Sequence, residues 1–219
     1  EGDADAWKHG GYLISTIVSP FDCSKCHKKE FTEFDRSHHA KAGEILGSLD
    51  NFLGEAVEGQ GASRQGCQYC HGSVVKVTAE GKLDASTWPN LGIGRLNPDG
   101  SKGSCSACHA KHSFSLAVAR SPESCGKCHM GPDHPQKEIY DESKHGIIYA
   151  AHSDDMNLGE GHWVLGEEYT QSPNCVTCHM GANRYSKKTH DLGERLSLNL
   201  RAPVSTPMAD SEAKREQMQ

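Results

Sequence analysis

The sequence predicts a mainly α fold of short helices and loops with minimal sheet, whose interior is filled by something other than aliphatic side chains. Two observations lead there. Leu, Ile, Val and Phe supply only 35 of 219 residues, with 6% aromatics and a net charge of -6, which is below the roughly 20% at which a charged chain tends to disorder. Yet 219 residues is ample length for one folded domain. A chain of this size that folds with so little aliphatic volume needs an added apolar group.

The cysteines identify it. All 10 Cys fall in Cys-x-x-Cys-His pentads: Cys23-Cys26-His27, Cys67-Cys70-His71, Cys105-Cys108-His109, Cys125-Cys128-His129 and Cys175-Cys178-His179. With 14 His in the chain, a His after all five pairs arises by chance on the order of once in a million, and the pattern is that of c-type haem attachment. Two thiols three residues apart lie one helical turn apart and suit thioether bonds to two vinyl groups of one haem. The following imidazole then binds the iron from below. Zinc accepts Cys-x-x-Cys pairs but gives no reason for a His after each, and redox dithiols give none either. The chain is therefore expected to carry five c-type haems, held by these ten cysteines, with His27, His71, His109, His129 and His179 as iron ligands.

The first cysteines stand at 23, 67, 105, 125 and 175. Their unequal intervals exclude an even repeat array, and one irregular haem-packed domain over 1–219 is expected. The short interval between the third and fourth motifs predicts neighbouring haems. Ile45, Leu46, Leu49, Phe52 and Leu53 recur at helical spacing and predict an amphipathic helix, weakened by Gly43, Gly47 and Gly54. Val75 and Val77 before Glu80-Gly81 predict a small hairpin. From Trp88-Pro89 to Gly103 the Gly, Asn and Pro content predicts a loop. Arg201 to Pro207 reads as a linker, and Asp210 and Ser211 start a helix over 212–216 that has hardly begun at Gln219, so the natural chain is expected to continue.

The first residues, Glu1-Gly2-Asp3-Ala4-Asp5, carry neither a basic nor an apolar leader, so the sequence reads as a mature exported chain, periplasmic or extracellular, with its signal peptide removed. The longest lipid-like run, Tyr12 to Val18, is too short to span a membrane. The 23 Lys and Arg are spread among 29 Asp and Glu, which gives no nucleic-acid footprint.

Nine His lie outside the motifs: His9, His38, His39, His112, His134, His145, His152, His162 and His190. Five irons use at most five of them, so counting does not separate an enzyme with an open iron from a wire with none. Any one of them is a distal iron ligand or a surface residue. His38 and His39 are adjacent and point different ways. His112 follows His109 by three residues and would share its helical face. Asp133, His134, Tyr140 and His145 place a carboxylate, two imidazoles and a phenol within one short segment, a set suited to delivering protons beside a metal; equally, Asp133 caps a turn and both His bind iron.

Three stretches resemble the octahaem hydroxylamine oxidoreductases and, more distantly, the ammonia-forming cytochrome c nitrite reductases: CGKCHMGPDHPQKEIYDESKHG at 125–146, CHAKHSFS at 108–115, and CVTCHM followed by Thr189-His190-Asp191. By order and flanks the five motifs are similar to the third to seventh of the eight in that family. The resemblance implies that the haem of Cys67, Cys70 and His71 is the catalytic one, open on its distal side, with Asp133 and His145 as catalytic residues bordering the pocket. It implies His134 as a distal ligand to another haem, and we take His39, His112 and His190 as further sixth ligands. The nitrite reductases carry Lys where this chain has His71, which favours the hydroxylamine oxidoreductase side. Two N-terminal motifs of the family, its eighth motif, and its later cross-linking Tyr and trimer helices have no counterpart in this sequence.

The implied function is redox conversion of hydroxylamine or nitrite at one haem, preferably in the reducing direction, with electron transfer through the others. The alternative is a pure conduction module with every iron held by two His. Implied partners are small nitrogen species and redox cytochromes or quinol-linked donors and acceptors, with a homo-oligomer or larger haem assembly left open.

Overall fold

The structure, a computed structural model, describes residues 5–44, 66–132 and 135–195. The expected helix at 45–53, the linker and helix beyond 201, and Asp133 and His134 lie outside the described residues. The described chain is mainly short helices and loops with two two-stranded sheets, as the sequence predicts. Its described residues divide into two compact units, one of residues 5–26, 38–44 and 66–104, the other of residues 27–37, 105–132 and 135–195.

The first unit opens with a hairpin that the sequence reading does not anticipate. Strands β1 (Trp7–His9) and β2 (Tyr12–Ile14) pair antiparallel with Trp7 opposite Ile14 and His9 opposite Tyr12. Gly10 and Gly11 turn the chain with φ of +54° and +85°, the pair of positive dihedrals that a two-residue turn matched to strand twist requires. The buried Asp5 closes the base: its carboxylate accepts from the Ser15 hydroxyl at 2.5 Å and from the Thr16 and Ile17 amides at 2.9 Å. Helix α1 (Pro20–Ser24) follows. Ser19 caps it in a reciprocal box with Asp22, and Pro20 takes the first turn, where a missing N–H costs nothing.

The hairpin expected after Val75 is present: Val77 bridges Leu83 antiparallel, and a turn closes with the Gly81 amide donating to the Thr78 carbonyl at 3.0 Å. The segment from Trp88 to Gly103 has no helix or strand, as expected, but it is far from loose. It folds back on helix α3 (Cys67–His71), the second motif, through Ile93 N–H to the Cys70 carbonyl and Gly94 N–H to the His71 carbonyl, both 3.0 Å.

The second unit comprises α2 (Lys28–Arg36), α4 (Leu116–Arg120), α5 (Pro122–Gly126), α6 (Gln136–Glu142), α7 (Lys144–His152) and α8 (Cys175–His179), with β3 (Val164–Leu165) and β4 (Ala182–Asn183) paired parallel. Its core is Met156, Trp163, Tyr169 and Val176. The Trp163 and Tyr169 rings stack at 4.2 Å and 12°, with the Arg120 guanidinium 4.8 Å over the Trp163 ring. Trp163 Nε1–H donates to the Met156 carbonyl at 2.7 Å, and the Tyr169 hydroxyl donates to Thr177 at 3.0 Å. Each polar edge of these aromatics is thereby satisfied inside the core.

Prolines apart, the buried apolar side chains among the described residues are only Ile17, Ala40, Ala42, Val75, Met156, Trp163, Tyr169 and Val176. Meanwhile Phe21, Tyr69, Val74, Met130, Ile147 and Ile148, all near or between motifs in sequence, are exposed. The aliphatic deficit read from composition is thus a property of the fold.

Candidate haem-binding site

Each motif coils into one helical turn. Cys26 N–H donates to the Cys23 carbonyl at 3.2 Å, Cys108 to Cys105 at 3.3 Å and Cys128 to Cys125 at 3.1 Å, while α3 and α8 hold the second and fifth motifs entire. Local sequence starts three of these turns. Ser19 caps α1, Ser121 with Pro122 starts α5, and Asn174 with Thr177 makes a capping box for α8. Each pair keeps the one-turn spacing that attachment to a haem edge needs.

In the first unit the second motif sits against backbone. His71 Nδ1 is 3.3 Å from the Ala42 carbonyl. Donating there fixes the tautomer and leaves Nε2 for a metal, the usual arrangement of a ligating imidazole. Ala42 can come this close because glycines face glycines. A methyl group on Gly94 would stand 2.6 Å from the Ala42 amide nitrogen, and one on Gly72 would stand 2.8 Å from the Arg95 Cα. Beneath this layer lies Arg95, 1% exposed. Its Nε donates to Asn97 Oδ1 at 2.8 Å, Nη1 to the Asn90 carbonyl at 3.3 Å and Nη2 to the Val18 carbonyl at 2.7 Å. Arg95 pins the loop that carries the second motif to the segment just before the first. Sequence reasoning missed it; a lone Arg inside a Gly- and Asn-rich loop was the available signal.

In the second unit the third, fourth and fifth motifs converge. The Cys125 thiol hydrogen-bonds Cys175, which together with burial pushes Cys125 up and, on the other side, holds Cys175 down. Cys108 also lies within electrostatic reach of Cys125. The contact of the fourth with the fifth, fifty positions apart in sequence, was not expected.

His109 and His190 face each other with ring centres 6.4 Å apart and planes 24° from parallel. Burial pushes both imidazoles below the ordinary value, with His27 and Arg120 adding to the effect on His109 and His109 to that on His190. The His190 amide donates to Glu33 Oε2 at 3.0 Å, Thr189 N–H donates to the Met180 carbonyl at 2.9 Å, and His190 Nδ1 is buried without a hydrogen bond, 3.9 Å from Glu33. Two imidazoles bound to one metal from opposite sides place their centres about 6 Å apart, from two bonds of roughly 2 Å and about 1 Å from each nitrogen to its ring centre. The observed separation matches the distance that an iron between two imidazoles would set. Glu33, on α2, is a residue that no sequence pattern marked.

The other candidates are dispersed. His39, His129 and His179 are half-buried, and His27, at the start of α2, is exposed. His112 does not share a helical face with His109: it sits exposed in a turn at φ +72°, because the helical turn of the third motif ends at His109 and the chain reverses. The helical-spacing argument for His112 is therefore corrected. His145 lies exposed near the start of α7, its carbonyl accepting from the Ser172 hydroxyl at 2.7 Å.

Comparison with known proteins agrees with this geometry. Residues 98–209 match the family described as "Seven times multi-haem cytochrome CxxCH", and residues 18–130 match "Cytochrome c3". The chain belongs to the multihaem cytochromes c. This multihaem cytochrome is 33% identical over 183 residues to a "Probable nitrite reductase-hydroxylamine oxidoreductase fusion protein" of Kuenenia stuttgartiensis, covering 78% of this chain and 18% of that protein. A solved "Hypothetical multiheme protein" superposes with a TM-score of 0.78 at 34% identity, over 89% of this chain and 43% of that one. A chain of the "reducing HAO-like protein complex" of Kuenenia stuttgartiensis gives a TM-score of 0.55 at 30% identity, over 77% of this chain and 29% of that one. The cytochrome thus spans less than half the length of these relatives. No helix among its described residues is long and apolar enough to cross a membrane.

Proposed function

We propose that this multihaem cytochrome carries five c-type haems on its five motifs and is an exported redox protein of hydroxylamine oxidoreductase type, working in the reducing direction. The observation that carries the electron-transfer part is the half-buried His109 and His190 pair, spaced for one iron. A haem held by two imidazoles supplies reversible one-electron exchange at an iron closed to other ligands. In the second unit the chain's contribution is to hold the third, fourth and fifth motifs with their cysteine sulfurs in mutual reach, a spacing suited to passing electrons among them. His39, His112 and His134 complete the proposed set of sixth ligands.

The reacting part of the proposal rests on the resemblance and on the setting of His71. Ala42 orients the His71 ring and the Gly72, Gly94 and Arg95 layer fixes its backbone. Hydroxylamine or nitrite would be taken at the haem of Cys67, Cys70 and His71. His145, through an imidazole nitrogen, and Asp133, through its carboxyl, would deliver protons to the nitrogen substrate as electrons arrive. Imidazole and carboxyl groups are side chains commonly used for such general acid catalysis. The periplasm, exchange with redox cytochromes or quinol-linked proteins, and a single domain over 1–219 belong to the same proposal.

A pure conduction module is the second reading, favoured by the convergence of three motifs in one unit. Electron paramagnetic resonance of the resting protein separates the two. A high-spin ferric component that changes on adding nitrite or hydroxylamine supports the enzyme. Five low-spin haems that ignore both ligands would leave only conduction.

A further inference from the structure

A group of side chains well suited to a metal stands apart from the haem motifs. His162, Glu167 and Glu168 bring one imidazole nitrogen and two carboxylate oxygens within 4.8 Å of one another. The site is empty, and its donors are held in place by the fold. His162 Nδ1 and Glu168 Oε1 are 2.5 Å apart, and the other Glu168 oxygen accepts the Val164 amide at 2.8 Å, which fixes the carboxylate plane. The Glu168 carbonyl accepts from Asn157 Nδ2 at 2.6 Å. Between the donors, Trp163 is buried with its indole tied to Met156, and Tyr169 follows Glu168 directly into the same core. The segment from His162 to Glu168 is thus a short arch whose feet are anchored in the core and whose metal-binding atoms converge outside it.

Glu167 adds a second carboxylate beside the pair. A divalent ion held there would neutralise both carboxylates and take the imidazole as a neutral ligand. One nitrogen and two oxygens is a donor set for a borderline divalent metal; magnesium and calcium prefer oxygen alone.

We propose that His162, Glu167 and Glu168 form a site for a divalent transition-metal ion of the zinc class, which clips the 162–168 arch over the core packed on the fifth motif. The site is separate from haem and does not rest on the proposed reaction.

The test uses the haem-loaded protein, stripped with a chelator and titrated with Zn2+. Equilibrium dialysis should find one Zn2+ per chain that is weakened at least tenfold by His162→Ala and by Glu168→Gln, and unchanged by His152→Ala. X-ray absorption at the zinc edge, blind to the haem irons, should show a shell of nitrogen and oxygen donors that loses its imidazole contribution in His162→Ala. The unfolding temperature should rise with Zn2+ in the wild type and stay fixed in His162→Ala. Equal zinc affinity in wild type, His162→Ala and Glu168→Gln, or no zinc bound at micromolar concentration, would overturn the proposal. Should a variant lose its haem, the zinc-edge spectrum of the wild type still decides: a shell containing sulfur, or one without imidazole, overturns the site.

Discussion

Replacing Arg95 with Met removes the one cation inside the layer that carries the second motif, and the structure sets the size of the effect. Three acceptors lose their donor: Asn97 Oδ1 at 2.8 Å, the Val18 carbonyl at 2.7 Å and the Asn90 carbonyl at 3.3 Å. An orphaned buried acceptor costs about 1–3 kcal/mol. The two short bonds should each count near the middle of that range and the long one near its bottom. The guanidinium also sits 5.7 Å from the Trp88 ring centre, a contact contributing about 0.5–1 kcal/mol. Met recovers part of this by filling the space, which leaves an expected loss of about 3–5 kcal/mol. Natural domains are stable by about 5–15 kcal/mol, so the variant should fold marginally. Denaturation by guanidinium chloride, followed at the Soret band, should show a lower midpoint at unchanged slope. Because Gly94 and Ile93 of the same loop bond the His71 and Cys70 carbonyls, the haem of the second motif should change its spectrum first. Arg95→Lys should rescue little, since a point charge cannot serve three divergent acceptors. A loss below about 1 kcal/mol, with the spectrum of the second-motif haem intact, would refute the role assigned to this layer.

Other outcomes follow from the same geometry. His190→Ala should convert one low-spin haem to a high-spin, ligand-accepting one with haem content unchanged, as read by electron paramagnetic resonance; a purely low-spin spectrum would remove His190 from the iron. Gly72→Ala places a side chain at φ +85° within 2.8 Å of the Arg95 Cα and should cost about 2–4 kcal/mol from strain and overpacking, measured as a lower denaturation midpoint. His145→Ala should lower reduction of nitrite or hydroxylamine about 100-fold or more while leaving haem content and reduction potentials in place; a shifted potential would make His145 an iron ligand instead. Without haem attachment, as in a chain with its cysteines changed to serine, circular dichroism and amide exchange should show no compact native state, since buried aliphatic side chains are so few.

The motifs were legible because haem attachment is a local requirement: two thiols on one turn and an imidazole after them depend on neighbours in sequence, and the five turns formed where the cysteines stand. The loop at 88–103 and the hairpin around Gly81 were legible for the same reason, as turn chemistry acts over a few residues. His112 shows where such reasoning stops. Spacing from His109 holds only while a helix continues, and the backbone turned over at φ +72° instead.

By itself, then, the sequence determined the five Cys-x-x-Cys-His turns, the helical character and the shortage of aliphatic core. Tertiary structure alone decided that His190 meets His109, that Cys175 reaches Cys125, that Ala42 receives His71, and that Arg95 is the buried post under the second motif. The physical reason is separation along the chain. A partner 81 positions away, as His190 is from His109, is selected by how loops pack and not by any pattern a neighbour could carry.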